Sequence, residues 1–228
     1  MSTATLFDFN GVLVDDEHVH LAAFRDTLAP LGITITDEAY AERYLGFDDR
    51  GAFGAILRDS GRAPSEREID ELVQRKIPLY LARAERELRI FPGAADVVQR
   101  RAARGPVAIV SGALRHEIDL ALGKMGVRDA VSFIVAAEDV KACKPDPEGY
   151  LLAAKRLPAI ATIVIEDSIA GVRSARAAGL SCVAVAHSYL ASELGEADAV
   201  VETIAQATDE LLERHARPRA SHFPPPAG

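Results

Sequence analysis

The stretch Thr5-Leu-Phe-Asp8-Phe-Asn10-Gly11-Val-Leu-Val-Asp15-Asp16 decides how the whole chain folds. A short apolar run from Thr5 to Phe7 stops on Asp8, passes Asn10 and Gly11, and turns apolar again before two further acids. Removing a carboxylate from water at the end of a buried strand is costly, so one kept there has a partner or a task. Ligands of open parallel sheets bind outside the carboxyl ends of the strands. Asp8 therefore reads as a catalytic carboxylate, with Gly11 allowing a tight backbone turn beside it. The competing reading is an Asx-type turn, a routine use of Asp and Asn.

Beyond Asp16 the pattern becomes helical. His18, Leu21, Ala22 and Leu28 recur at helical spacing, and Pro30 with Gly32 ends that helix. Residues 37–87 carry no strand pattern; helices are expected at 38–44, 49–59 and 65–87, the last kinked by Pro78. From Phe91 the chain alternates. Helices at 94–103, 115–125, 147–157, 169–178 and 205–214 interleave with strands at 107–110, 132–135, 162–165 and 181–185. Continuous β-branched runs between helices indicate a parallel sheet covered on both faces. Strand 4–7 must join that sheet, since nothing nearby can pair with it. The expected class is α/β: a core of residues 1–15 and 89–217, an inserted all-helical unit of residues 16–88, and a Pro-rich tail, 218–228, that packs loosely.

The formal net charge of −8 argues against nucleic acid and anionic membrane as obligate partners, because both require a basic face. A phosphorylated substrate stays allowed, since a metal and a few local cations can reverse the sign of a site. Cys143 and Cys182 make neither ligand spacing nor a disulfide framework, which fits a reducing cytoplasm. No apolar run reaches membrane-spanning length, and no secretory leader pattern opens the chain. A soluble cytoplasmic protein, monomeric or weakly dimeric, is the expectation.

Two later strands end in residues a core strand would not choose. Residues 107–110 run into Ser111-Gly112, and residues 162–165 run into Glu166-Asp167-Ser168. Between them, Lys144-Pro-Asp-Pro147 places a lysine just before a helix. Singly, these read as a turn, a helix cap and a solvated charge. If all the strands are parallel, Asp8, Ser111, Lys144, Glu166 and Asp167 share one rim. Three carboxylates there suit a hard divalent cation, Mg²⁺ by preference. With a lysine, a hydroxyl and loop amides, the set makes a cradle for a phosphoryl group that Asp8 could attack.

Four motifs in this order, Asp8-Phe-Asn-Gly-Val-Leu-Val-Asp15, Ser111-Gly112, Lys144-Pro-Asp-Pro147 and Glu166-Asp167-Ser168-Ile-Ala-Gly-Val-Arg173, span most of the chain. In them the sequence resembles the haloacid dehalogenase superfamily, in its β-phosphoglucomutase-like branch. The resemblance implies a Rossmann-like core with a small helical cap, and a small phosphorylated metabolite as substrate. It implies Asp8 as nucleophile and Ser111 and Lys144 as holders of the phosphoryl oxygens, with Gly112 and Ala113 beside them. Asp8, the Asn10 carbonyl, Glu166 and Asp167 would organise Mg²⁺. In the cap it places His20, Gly46, Arg50 and Lys76 toward the substrate.

One position departs from the family pattern. Where the phosphatases and mutases carry an acid–base aspartate, this chain has Asn10. An amide keeps the hydrogen-bond geometry but exchanges no proton at neutral pH, a loss of about 10²- to 10⁴-fold. Three readings follow: a phosphatase that relies on good leaving groups or on Asp15, Asp16, Glu17 or His20; a phosphomutase-like enzyme with a long-lived intermediate; or an impaired phosphometabolite-binding protein. Dehalogenation is disfavoured, because it leaves Glu166-Asp167 without a purpose.

Overall fold

The structure, a computed structural model, describes residues 2–158 and 161–218. The chain divides into two compact units, Met1–Asp15 with Ile90–Gly228, and Asp16–Arg89. In chain order the elements are β1 (Thr3–Phe7), β2 (Val14–Asp15), α1 (Glu17–Leu28), α2 (Asp37–Arg43), α3 (Asp49–Asp59), α4 (Glu66–Glu87), β3 (Arg89–Ile90), α5 (Ala94–Ala102) and β4 (Val107–Val110). There follow α6 (Arg115–Met125), β5 (Phe133–Val135), α7 (Glu148–Arg156), β6 (Ala161–Glu166), α8 (Ile169–Ala177), β7 (Ser181–Val185), β8 (Ala199–Val201), α9 (Asp209–His215) and β9 (Arg217–Pro218). None of the described helices is long and apolar enough to cross a membrane.

The first unit is built on a sheet ordered β5-β4-β1-β6-β7-β8, with every neighbouring pair parallel. Strand order reverses beside β1, the position at which open α/β sheets hold their ligands. Alternation along the strands sorts the two faces. Ala4, Leu6, Ala108, Val110, Val164, Cys182 and Ala184 pack with Tyr150, Ala153, Val172 and Ala175 of α7 and α8. On the opposite face, Thr3 and Thr5 bond to Glu213 of α9 and Arg101 of α5. Helices therefore cover both sides.

The second unit is helical throughout. Side chains of Thr36, Asp48 and Ser65 accept from the amides of Ala39, Gly51 and Glu68 and so start α2, α3 and α4. Inside it, the rings of Phe24 and Phe53 meet edge-on at 4.9 Å. α4 continues past Pro78.

Four features differ from the sequence reading. The expected helix 205–214 begins instead with a 3₁₀ turn at Ile204–Gln206 and restarts as α9, because extended Thr208 caps the amide of Leu211. β8 is an additional strand, three residues long and only half-buried. Residues 14–15 and 89–90 form a two-stranded sheet of their own. Pro218 is not loose: β9 pairs antiparallel with Ala161 and Thr162. The rest of the expected tail, 219–228, lies outside the described residues.

Arg101 fastens the last helix to the sheet. It is fully buried, donating from Nε to Thr5 Oγ1 at 2.9 Å and pairing through Nη1 with Asp209 at 3.2 Å and Glu213 at 2.8 Å. Removing one member of a buried ionic network leaves the others unmatched. Arg101→Ala is expected to lower unfolding stability by about 3 kcal/mol, read as an earlier urea midpoint; an unchanged midpoint would exclude this anchoring role.

Candidate active site

The carboxyl ends of β1, β4 and β6 build the site. Parallel register sets Phe7 opposite both Ile109 and Ile165, and the amide of Asp8 donates to the Ile165 carbonyl at 2.9 Å. Asp8 thus emerges level with Glu166. Among the described residues, Asp8, Glu166 and Asp167 each present a carboxylate oxygen within 4.8 Å of the others, and all three are buried.

Lys144 meets this group from the loop before α7. Its Nζ lies 2.8 Å from Asp8 Oδ1 and 2.6 Å from Glu166 Oε1. Burial alone would lower an ammonium's pKa, but the charges of Asp8 and Glu166 outweigh it and hold Lys144 above its ordinary value. Asp8 responds in the opposite sense. Desolvation first, and then repulsion from Glu166, raise it to about 6 against the pull of Lys144. Burial followed by the charges of Asp8 and Glu166 also raises Asp167 well above the carboxylate range. The cluster therefore carries more negative charge than its lysine balances.

Glu166 is held by several donors. Tyr150 donates its hydroxyl to Oε1 at 2.7 Å, while the Asp167 amide and the Ser168 hydroxyl donate to Oε2 at 3.1 and 3.2 Å. Ser168 Oγ also accepts from the Gly171 amide and so caps α8. Capping thus falls to Ser168, freeing Glu166 and Asp167 for the rim. Gly171 is required by space, since a Cβ there would overlap the Glu166 carboxylate. Gly11 combines a φ of +72° with the same constraint against Asp167.

Ser111 joins the set after β4. Its hydroxyl accepts from the Ala113 amide at 3.1 Å and donates to Asn10 Oδ1 at 3.4 Å. Gly112 is exposed, whereas Ala113 is buried and its amide is taken by Ser111. The six rim residues singled out in the sequence, Asp8, Asn10, Ser111, Lys144, Glu166 and Asp167, are thus brought together.

The remaining four belong to the helical unit. Lys76 is fully buried there, with Nζ 2.8 Å from His20 Nδ1, 2.5 Å from Asp49 Oδ1 and 4.4 Å from the centre of the Phe24 ring. His20 Nε2 pairs with Asp16 at 3.2 Å, and Asp16 accepts the Tyr80 hydroxyl at 2.6 Å. Glu17 accepts from Tyr40 at 2.7 Å. Arg50 pairs with Glu66 and Asp70 on the surface of the unit, and Gly46 sits in the turn before α3 with φ +82°.

Sequence reasoning passed over Tyr150, His187 and Ser188. Tyr150 lies in an otherwise apolar helix and reads as core; the other two follow β7, where only the folded sheet brings them to the rim.

A family model described as haloacid dehalogenase-like hydrolase matches residues 3–179. Protein CbbY of Rhodobacter capsulatus is 31% identical over 195 residues, covering 82% of this chain and 86% of that protein. Validoxylamine A 7'-phosphate phosphatase of Streptomyces hygroscopicus subsp. limoneus is 29% identical over 211 residues, 90% of this chain and 96% of that one. The crystal structure of CbbY from Rhodobacter sphaeroides in complex with phosphate superposes with a TM-score of 0.82 at 28% identity, over 93% of this chain and all of that one.

The crowded carboxylates set a stability signature. Asp8 titrates at about 6 when folded and at about 3.9 when unfolded, so the folded state binds this proton more tightly. Its contribution to stability is therefore present at low pH and is lost as pH rises from about 4 to 6. Asp8→Asn removes that dependence. In EDTA at pH 7 the variant is expected to melt at least about 2 °C above the native chain; a lower melting point would contradict the charge balance described.

Proposed function

The chain belongs to the haloacid dehalogenase-like hydrolase family, and from that premise we propose that it is a phosphatase for a small phosphorylated metabolite, with Asp8 as nucleophile. The observation that carries this reading is the Lys144 ammonium, 2.8 Å from Asp8 and 2.6 Å from Glu166 on the rim that also holds Ser111 and Asp167. A phosphoryl group needs a nucleophile flanked by fixed positive charge and hydrogen-bond donors. Two relatives are consistent with it: one is named as a phosphatase, and another was crystallised with phosphate.

The donor set fits Mg²⁺. Its ligands are hard oxygens, and the raised pKa values of Asp8 and Asp167 mark negative charge that a divalent cation would relieve. Asp8, Asp167 and the Asn10 carbonyl would hold it, with Glu166 beside them. Bound there, Mg²⁺ would supply positive charge to the phosphoryl oxygens.

The chain's own residues then divide the work. A carboxylate oxygen of Asp8 forms a bond to phosphorus while the ester P–O bond breaks, and the leaving oxygen departs as the anion or takes a proton from solvent. Lys144 and the Ser111 hydroxyl balance charge on the transferred oxygens, with the exposed Gly112 next to them. Water then attacks the phosphorus of the aspartyl phosphate, restoring the Asp8 carboxylate and releasing inorganic phosphate. Asn10 orients groups beside Ser111 but supplies no proton in either step. Esters whose leaving group needs no proton are therefore the better substrates.

Asn10 also favours a second reading, in which slow breakdown of the aspartyl phosphate makes the chain a phosphoryl carrier of the phosphomutase kind or a binder. One assay separates the two. Mg²⁺-dependent phosphate release is measured for aryl and alkyl phosphates with the native chain, Asn10→Asp and Asp8→Asn. The phosphatase reading predicts aryl turnover by the native chain, a gain of about 10²- to 10⁴-fold on alkyl esters in Asn10→Asp, and silence in Asp8→Asn. Release only by Asn10→Asp favours the second reading, and no release by either contradicts phosphatase chemistry.

A further inference from the structure

The exit of β7 places two consecutive side chains against the rim, neither of which has a part in the reaction above. The ring of His187 stacks on Phe91, with centroids 3.9 Å apart and planes 22° from parallel. Its Nδ1 lies 2.8 Å from the carbonyl oxygen of Gly11. A carbonyl only accepts, so Nδ1 carries the proton and donates it. Ser188, the next residue, donates its hydroxyl to Asp167 Oδ2.

Gly11 stands between these contacts. A Cβ at that position would overlap the Asp167 carboxylate and lie 2.7 Å from Ser188 Oγ. Gly11, Asp167 and Ser188 therefore fill one another's space, and the two neighbouring residues of the β7 exit hold one partner each. We propose that His187 and Ser188 are positioning residues for the cation cradle: His187 fixes the Gly11 carbonyl, and with it the turn one residue beyond the Asn10 carbonyl, and Ser188 fixes the Asp167 carboxylate so that its other oxygen is free to bind the cation. Groups that orient metal ligands in this way typically change affinity by about 10- to 100-fold when removed. The inference rests on the Mg²⁺ reading given above.

The test is calorimetric titration of the whole chain with Mg²⁺ and no substrate, so that the readout is independent of turnover. Four variants accompany the native chain. Ser188→Ala removes the donor to Asp167, and Ser188→Thr keeps a hydroxyl. His187→Phe keeps a ring to stack on Phe91 but loses the N–H, and His187→Asn keeps an N–H without the ring. Ser188→Ala and His187→Phe are expected to weaken Mg²⁺ binding by about tenfold or more, while Ser188→Thr stays closer to native than Ser188→Ala. His187→Asn recovers part of what His187→Phe loses. Melting in EDTA identifies any variant that fails to fold, and the other position then decides. Native affinity in both Ser188→Ala and His187→Phe overturns this inference alone. A native chain that takes up no Mg²⁺ overturns the metal reading and this inference with it.

Discussion

The ammonium of Lys144, shared between Asp8 at 2.8 Å and Glu166 at 2.6 Å, is the interaction around which the rim is arranged. Three buried carboxylates within 4.8 Å repel one another in a medium that screens poorly. The lysine offsets only part of that, which is why Asp8 and Asp167 titrate upward while Lys144 is held in its charged form. Such a cluster persists only where the surrounding structure is stable enough to bear it. The sheet supplies that stability: β1, β4 and β7 are buried along their whole length and β6 from Thr162 onward, and their side chains pack against helices on both faces. The same backbone that buries the strands delivers their polar ends to one place.

Space around the carboxylates is as constrained as their charge. Gly171 lets the first turn of α8 come against Glu166, and Gly11 lets the loop after β1 come against Asp167. Neither position tolerates a Cβ without moving a carboxylate. Tyr150 shares Glu166 Oε1 with Lys144, while Ser168 and Ser188 donate to Glu166 Oε2 and Asp167 Oδ2, which Lys144 does not reach. Polar groups removed from water need such partners, so much of this shell serves folding and chemistry together.

Most of this was legible in the sequence where the signal was local. The run that stops on Asp8, the polar endings after residues 110 and 165, and the change from helical to alternating pattern near Phe91 are all one-dimensional features. They placed β1, β4, β6 and β7 within one or two residues and named Asp8, Ser111, Glu166 and Asp167; Lys144 came from the loop before the next helix, and the part of Asn10 from the family resemblance. What escaped depends on contacts across the sheet. β8 and β9 are two or three residues long and owe their pairing to the strands already present. His187 and Ser188 lie well beyond Arg173, where the nearest motif ends, and follow a strand with an ordinary apolar pattern. Tyr150 has the periodicity of a packing residue, and it does pack; its hydroxyl also reaches Glu166. In the helical unit the sequence offered Arg50 and Lys76 as available cations, but it could not show that Glu66, Asp70 and Asp49 already pair with them.

Asn10 makes the chemistry of this chain testable in a way that an aspartate would not. In the mechanism proposed above, with Asp8 as nucleophile and no acid–base side chain at position 10, formation of the covalent intermediate is less affected than its hydrolysis whenever the leaving group needs no proton. The most direct measurement is therefore acid-quenched mass spectrometry of the native chain mixed with Mg²⁺ and an aryl phosphate. The expected result is a phosphoryl adduct that accumulates within the first turnovers, maps to the peptide containing Asp8, and is absent from Asp8→Asn. Steady phosphate release by the native chain without such an adduct, or an adduct on another residue, would contradict it.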